Sequence, residues 1–139
     1  MGGLMENKRA HLQMLQAVIT RMSTNSFLLK GWSVLLVSAL FALGAADSQK
    51  GFVYLAYFPA IAFWLLDAYY LRQEKLFRNL YDRVRKLDEA DVDFSMDTST
   101  VAKEVASWSA VAFSVTIATF HSVVIGSILV VMLVLMFFG

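Results

Sequence analysis

The last quarter of this 139-residue chain contains no charged side chain. From Val105 to Phe138, 34 residues pass without an Asp, Glu, Lys or Arg. About 20 apolar residues are enough to cross the hydrocarbon core of a bilayer, which is about 30 Å thick. As one α-helix the stretch would be about 51 Å long, at about 1.5 Å per residue. Residues 105–139 therefore predict one long helix that contains a membrane span and has several turns left over.

The two halves of this stretch differ in composition. Residues 105–121 mix serine and threonine with alanine and tryptophan, whereas residues 123–138 are almost entirely Val, Ile, Leu, Met and Phe. We therefore expect the second half to face lipid and the first half to pack against other helices.

Two further apolar segments, 27–46 and 52–71, predict a transmembrane hairpin joined by the polar residues 47–51. Pro59 lies in the middle of the second segment, where it removes a backbone hydrogen bond and should kink the helix. The hydrophobic share of 58% exceeds the ~45–50% of soluble domains. Because the chain has no cysteine, disulfides and Cys-ligated metals are excluded.

The remaining segments are amphipathic. Residues 1–26 predict a cytoplasmic helix that ends in capping residues at 23–26 and either packs on neighbouring helices or lies in the membrane interface. Residues 72–104 predict a helical stalk that continues the second span, followed by an acidic loop. The apolar residues of the first helix recur at heptad spacing: Met5, Leu12, Leu15, Ile19 and Met22.

Orientation follows from the lysines and arginines beside the spans. The N-terminal segment and the second loop carry most of them, whereas the first loop holds only Lys50. The sequence thus predicts an all-α integral membrane protein with three transmembrane helices, N-terminus in and C-terminus out, in the inner (cytoplasmic) membrane. Six cations lie on the stalk: Arg72, Lys75, Arg78, Arg83, Arg85 and Lys86.

The polar residues of the last segment suggest a functional face. Ser107, Ser114 and His121 recur every seven residues and would share one side of a continuous helix. Such a seam either hydrogen-bonds to a neighbouring helix or lines a pore, where the histidine could respond to protons near neutral pH. A ring of several copies would place one His121 per protomer around an axis.

Other charged residues have two interpretations each. Asp67, near the inner boundary of the second span, either pairs with Arg72 or Lys30 or takes part in permeation. The stalk cations either set topology and solubility or contact anionic lipid headgroups, a nucleotide ligand or a protein partner.

Enzyme and metal signatures are absent from the sequence. It has no glycine-rich phosphate loop, no paired histidines at i+4 and no Gly-x-Ser-x-Gly. Asp91, Asp93 and Asp97 resemble the first half of an EF-hand loop, but Met96 replaces its glycine and Ala102 its closing glutamate. We therefore expect no catalytic residue, metal, cofactor or nucleic-acid partner.

Three blocks carry a resemblance to known proteins: residues 25–32 (NSFLLKGW), 67–74 (DAYYLRQE) and 77–81 (FRNLY). They resemble small multi-span bacterial membrane proteins of uncharacterised families. In outline, residues 27–87 are also similar to SLATT-type two-span effectors of prokaryotic immunity. That resemblance implies oligomers that permeabilise the membrane, although the third span is an addition to the pattern.

The sequence therefore favours a homo-oligomeric, channel-like or membrane-perturbing effector, lined by the last helix around Ser107, Ser114 and His121. The alternative is a non-enzymatic membrane subunit or scaffold that docks a cytoplasmic protein through its stalk and acidic loop. A small-molecule exporter is disfavoured because no span carries a central acidic residue; Asp67 lies too near the boundary.

Overall fold

The computed structural model describes residues 2–47 and 51–138, with the side chains of 5–46 and 51–138, so residues 48–50 of the predicted turn lie outside it. The described parts of the chain are helical and contain no strand. The five α-helices are α1 (Gly2–Asp47), α2 (Gly51–Leu55), α3 (Tyr57–Arg85), α4 (Trp108–Ala112) and α5 (Val115–Phe138). Two 3₁₀ turns, Glu89–Asp91 and Ser99–Glu104, lie between α3 and α4.

Helix α1 is continuous, whereas the sequence predicted two helices separated by caps at residues 23–26. No glycine or proline occurs at those positions. The buried residues that face α3 recur at helical spacing both before and after them. At about 1.5 Å per residue, its 46 residues extend for about 69 Å. One buried stripe runs along it: His11, Leu15, Ile19, Ser26, Leu29, Ser33 and Val37.

The second span is broken once, near Pro59. Helix α2 ends at Leu55. Pro59, four positions later, has no N–H to donate to the Leu55 carbonyl, and its ring clashes with that carbonyl. Ala56 instead donates its N–H to the Val53 carbonyl at 3.2 Å. Beyond that break, α3 runs without interruption from Tyr57 to Arg85, so one helix forms both the span and the stalk.

The last segment is not one helix, contrary to the sequence prediction for residues 105–139. Serine hydroxyls at two positions bond to the local backbone and compete with helix continuation. The Ser107 Oγ accepts from the Ala110 N–H at 3.3 Å and caps α4, and the Ser114 Oγ donates to the Val111 carbonyl at 2.6 Å. A turn at Phe113 and Ser114 then separates α4 from α5. We call residues 106–114 the elbow.

Besides a small apolar cluster at the elbow (Ala68, Val111, Ala112 and Ile117), two larger clusters of buried apolar side chains hold the helices together. Helices α1, α2, α3 and α5 share the first cluster, and α1, α3 and the second 3₁₀ turn share the other. The first contains Val37, Val53, Ala56, Ala60, Val124 and Ile128. The second contains Leu15, Leu76, Leu80, Val84 and Val101. We call the ends of the molecule around them the apolar end and the charged end.

Three helical segments are long and apolar enough to cross a membrane: Met5–Ala46, Gly51–Arg85 and Val115–Phe138. Their outer surfaces are apolar as well, since large side chains such as Phe58, Val123 and Phe138 are 79%, 64% and 87% exposed. A soluble monomer rarely exposes so much contiguous apolar surface. These features indicate a membrane protein with three candidate transmembrane helices.

Candidate functional site: a buried charged cluster between three helices

One carboxylate lies at the junction of the three long helices. Asp67 of α3 is completely buried and accepts three hydrogen bonds. The Lys30 Nζ lies 2.7 Å and the His121 Nε2 2.8 Å from its Oδ2, and the Ser26 Oγ donates to its Oδ1. We call these four residues the charged cluster.

Each long helix contributes to this cluster. Ser26 and Lys30 lie one turn apart on α1, where the Lys30 Nζ also donates to the Ser26 Oγ at 3.0 Å. Asp67 follows Trp64 by one turn on α3, and His121 belongs to α5. A charge inside a span is costly unless it is paired, so this arrangement fixes the three helices relative to one another.

Aromatic rings enclose the histidine. The Trp64 indole stacks on the His121 imidazole with 5.9 Å between ring centroids and 8° between ring planes. On the other side, the Phe120 ring is nearly perpendicular to it at 5.0 Å. Trp64 is itself fixed, because its Nε1 donates to the Ala112 carbonyl of the elbow at 2.8 Å.

The hydrogen bonds define which His121 nitrogen carries a proton. An ionised carboxylate only accepts, so the Nε2 that bonds to Asp67 must donate. The Nδ1 of the same ring has no hydrogen-bond partner among the described residues. A neutral imidazole leaves the cluster with one positive and one negative charge, from Lys30 and Asp67.

The predicted seam of Ser107, Ser114 and His121 does not form. The break at Phe113 and Ser114 changes the helical phase, so the seven-residue spacing no longer places the three side chains on one face. Ser107 is exposed and caps α4, Ser114 bonds to the elbow backbone, and only His121 joins the charged cluster.

Of the two partners predicted for Asp67, the structure places Lys30 beside it. The Arg72 Nε instead donates to the Ala106 carbonyl at 3.1 Å, which ties the start of the elbow to α3. Sequence reasoning missed Ser26 and Trp64 as members of the site. Their spacing could have indicated them. Ser26 lies one helical turn from Lys30, and Trp64 lies one turn from Asp67, so each pair shares a helix face.

The stalk cations are spread along α3 rather than gathered at one site. Arg78 pairs with Glu74 at 2.7 Å and Arg85 with Asp82 at 3.1 Å. Arg83 donates to a loop carbonyl, that of Thr100, at 3.5 Å, while Lys75 and Lys86 are exposed. Arg72 and Lys86 are 14 residues apart, or about 21 Å along the helix.

A second buried histidine lies at the charged end. The His11 Nε2 is 2.8 Å from the Ser95 carbonyl oxygen, and its ring lies 5.6 Å from that of Phe94. The Lys8 Nζ donates to the Leu87 carbonyl at 2.9 Å. These contacts attach the loop after α3 to the first turns of α1.

The EF-hand-like aspartates bond to their own loop. Asp93 accepts from the Ser95 N–H at 3.0 Å, and Asp97 accepts from both the N–H and the hydroxyl of Ser99 at 2.9 Å. The hydrogen bonds from Ser99 hold the pKa of Asp97 below its usual value. Within the described residues, no group of three or more His, Asp or Glu side chains is arranged to hold a metal ion.

Comparison with protein-family models, curated proteins and solved structures finds no match to this chain.

Proposed function

We propose that this protein is a non-enzymatic, homo-oligomeric membrane protein of the channel-like or membrane-perturbing kind, in the inner membrane of a bacterium. The distribution of lysine and arginine favours an orientation with the N-terminus and residues 72–104 in the cytoplasm. A role as a defence effector accords with the outline resemblance to SLATT-type proteins.

The observation that carries this proposal is the outward face of α5. Thr119, Ser122 and Gly126 lie opposite the side of α5 that packs on the protomer, and Thr119 and Ser122 are exposed. A Cβ added at Gly126 would meet no atom within 4 Å, so packing inside the protomer does not require a glycine there. Small and hydroxyl residues in spans favour close contact with another helix or with water rather than with lipid.

Several copies are needed because one protomer is a packed bundle. Its spans pack on one another through the side chains of the first apolar cluster. A pore would therefore form between protomers. We place Thr119 and Ser122 at its wall or at the contacts beside it, in place of the seam first expected from Ser107, Ser114 and His121.

Cysteine cross-linking in membranes tests the contact. The chain has no native cysteine, so a Ser122→Cys variant reports only on this face. We expect oxidation to produce disulfide-linked dimers of Ser122→Cys. The matched control is Ile117→Cys on the buried face of the same helix, which is 0% exposed and should remain monomeric. Equal cross-linking of both variants, or of neither, contradicts the proposed interface.

Conductance of the purified protein in planar bilayers tests the activity. Replacing Thr119 by Val and Ser122 by Ala removes two hydroxyls from the proposed wall, so the unitary conductance should fall. Ser127→Ala is the control, because the Ser127 hydroxyl already donates to the Val123 carbonyl of its own helix at 2.8 Å. Absence of conductance in the wild-type protein, or equal conductance in all three proteins, contradicts a channel.

A second candidate function is docking of a cytoplasmic protein. An open groove of about 400 Å³ lies between the start of α1 and the stalk. Its lining combines exposed cations with apolar and aromatic side chains, as protein-binding surfaces often do. Among its residues are Met5, Lys8, Arg9, Leu12 and Tyr81.

Purification from native membranes separates this candidate from the channel. A docking subunit should bring down one stoichiometric partner, and charge reversal at Arg9, which lines the groove, should release it. Charge reversal at the exposed Lys75, outside the groove, should not. Recovery of the protein alone would exclude docking as its main role.

A further inference from the structure

A single oxygen of Asp67 accepts from two nitrogens. The Oδ2 lies 2.7 Å from the Lys30 Nζ and 2.8 Å from the His121 Nε2. The Lys30 ammonium is one full positive charge, whereas the imidazole can donate from Nε2 in its neutral or its protonated form. Protonation of His121 would therefore leave two cations on one carboxylate.

Few other ionisable groups face this histidine. Helix α3 presents Asp67 and α1 presents Lys30, while α4 (Trp108–Ala112) contains no ionisable side chain. The ionisable residue of α2, Tyr54, lies at the apolar end beside Met132 and Met136. The charge balance of the junction therefore depends on Lys30, Asp67 and His121.

The three members differ in their access to solvent. The Lys30 side chain is 23% exposed, whereas those of Asp67 and His121 are 0% exposed. A lysine can extend its long stem and carry its charge to the membrane surface. His121 has no such route, since its buried ring packs against the Trp64 and Phe120 rings. When both are charged, Lys30 is the group that can leave.

We propose that acid exchanges the partner of Asp67: protonated His121 replaces Lys30, and α1 loosens from α3 and α5. Ser26 would then remain as the one contact of α1 to this carboxylate. The device belongs to a single protomer, so it goes beyond the proposed function and does not depend on the number of copies.

A groove beside the cluster would report this movement. It has a volume of about 220 Å³, lies between α1 and α5, is lined by Phe120, and begins at Val34, one turn from Lys30. Val34 lines one wall and Val123 the other, and both are exposed. Loosening of α1 should increase the distance between these two residues.

Pulsed EPR on the full-length protein in nanodiscs measures that distance. Spin labels are attached to a Val34→Cys, Val123→Cys variant, which has no other cysteine. The distance is measured at about pH 8 and again at about pH 5, because histidine is the side chain whose charge ordinarily changes within this range. We expect the mean distance to increase by about 1–2 Å, the size of a typical helix shift at such interfaces. An unchanged or shorter distance overturns the proposal.

Two histidine variants assign the response. His121→Gln keeps an amide donor for Asp67 but cannot be protonated, so the distance should no longer respond to pH. His11→Gln is the matched control, because His11 is also fully buried, is bonded through Nε2 and has an unpartnered Nδ1. The response should survive in this control. A response that persists in His121→Gln overturns the proposal.

Two further measurements cover the case in which His121→Gln does not fold. In Lys30→Met the Asp67–Lys30 pair is absent at every pH, so the distance at about pH 8 should already equal the wild-type distance in acid. Nitrogen-15 NMR of the wild-type histidine rings should show His121 gaining its proton over the same pH range as the distance change. A distance change with His121 still neutral contradicts the mechanism.

Discussion

At the scale of single residues, Asp67 decides how the spans meet. Removing two charges from water costs free energy that their attraction only partly returns, so a buried ion pair contributes more to geometry than to stability. Asp67 has its remaining lone pairs bonded to Ser26 and His121, which limits that cost. We therefore interpret the charged cluster as the feature that fixes the position of each apolar helix along its neighbours, which apolar contacts alone would not specify.

A double-mutant cycle on Lys30 and Asp67 tests this interpretation. Lys30→Met alone should cost about 3 kcal/mol, the lower end for a buried pair that loses one partner, since Lys30 is partly exposed. Replacing Asp67 by Leu in the same chain should recover part of that loss. Unfolding of the protein in detergent micelles measures each step, and the coupling free energy should exceed about 1 kcal/mol.

The exposed pair of Asp82 and Arg85 provides the control cycle. These residues are three apart on the stalk, with an N–O distance of 3.1 Å and side chains that are 57% and 55% exposed. Such pairs couple by about 0.2–0.5 kcal/mol. Equal coupling in the two cycles would contradict a special role for the charged cluster.

The sequence identified members of the cluster but not their association. Lys30 was one of two partners predicted for Asp67, since both lie at the boundary of a span. His121 was assigned to a seam on its own helix, because an unbroken 3.6-residue period was assumed through residues 113 and 114. The contact between His121 and Asp67 spans 54 positions and depends on packing, which periodicity does not encode.

At the scale of elements, α1 continues through Ser23, Thr24 and Asn25, a sequence typical of a helix start. Hydroxyl and amide side chains favour caps locally, but the buried stripe from Leu15 to Val37 packs on α3 along its whole length. Tertiary packing therefore outweighed local propensity at these positions. The elbow is the opposite case, because there Ser107 caps the start of α4 and Ser114 lies in the turn between α4 and α5.

A proline scan distinguishes a continuous α1 from two separate helices. Thr24→Pro should destabilise the protein by about 3 kcal/mol, the cost of proline inside a helix. Asp88→Pro is the control, because Asp88 has a φ of −66°, which proline adopts without strain. Thermal unfolding in detergent measures both. A Thr24→Pro protein as stable as Asp88→Pro would show that the helix is interrupted there.

At the scale of the whole molecule, length and apolarity were sufficient to predict three candidate spans. Amphipathic spacing predicted the helices of the charged end, but not how they pack. There α1 and α3 extend beyond an apolar thickness of about 30 Å and share their own apolar cluster with the second 3₁₀ turn. That part depends on loop contacts such as Lys8 to Leu87, between residues 79 positions apart. No local pattern in the sequence encodes such a contact.

Thiol labelling tests the orientation proposed from the lysines and arginines. Ser99→Cys lies in the loop at the charged end, and Gly51→Cys lies at the opposite end of the spans; both positions are exposed. A membrane-impermeant maleimide should label Ser99→Cys only in inverted vesicles and Gly51→Cys only in intact spheroplasts. The reverse pattern would place the N-terminus outside.

The number of protomers tests the central claim most directly. Native mass spectrometry of the purified protein in nanodiscs should give one predominant assembly of four or more copies. Ser122→Leu should shift it to smaller species, whereas Val134→Leu, at an exposed position elsewhere on α5, should not. A wild-type monomer or dimer would leave too few helices to enclose a pore and would contradict the channel-like function.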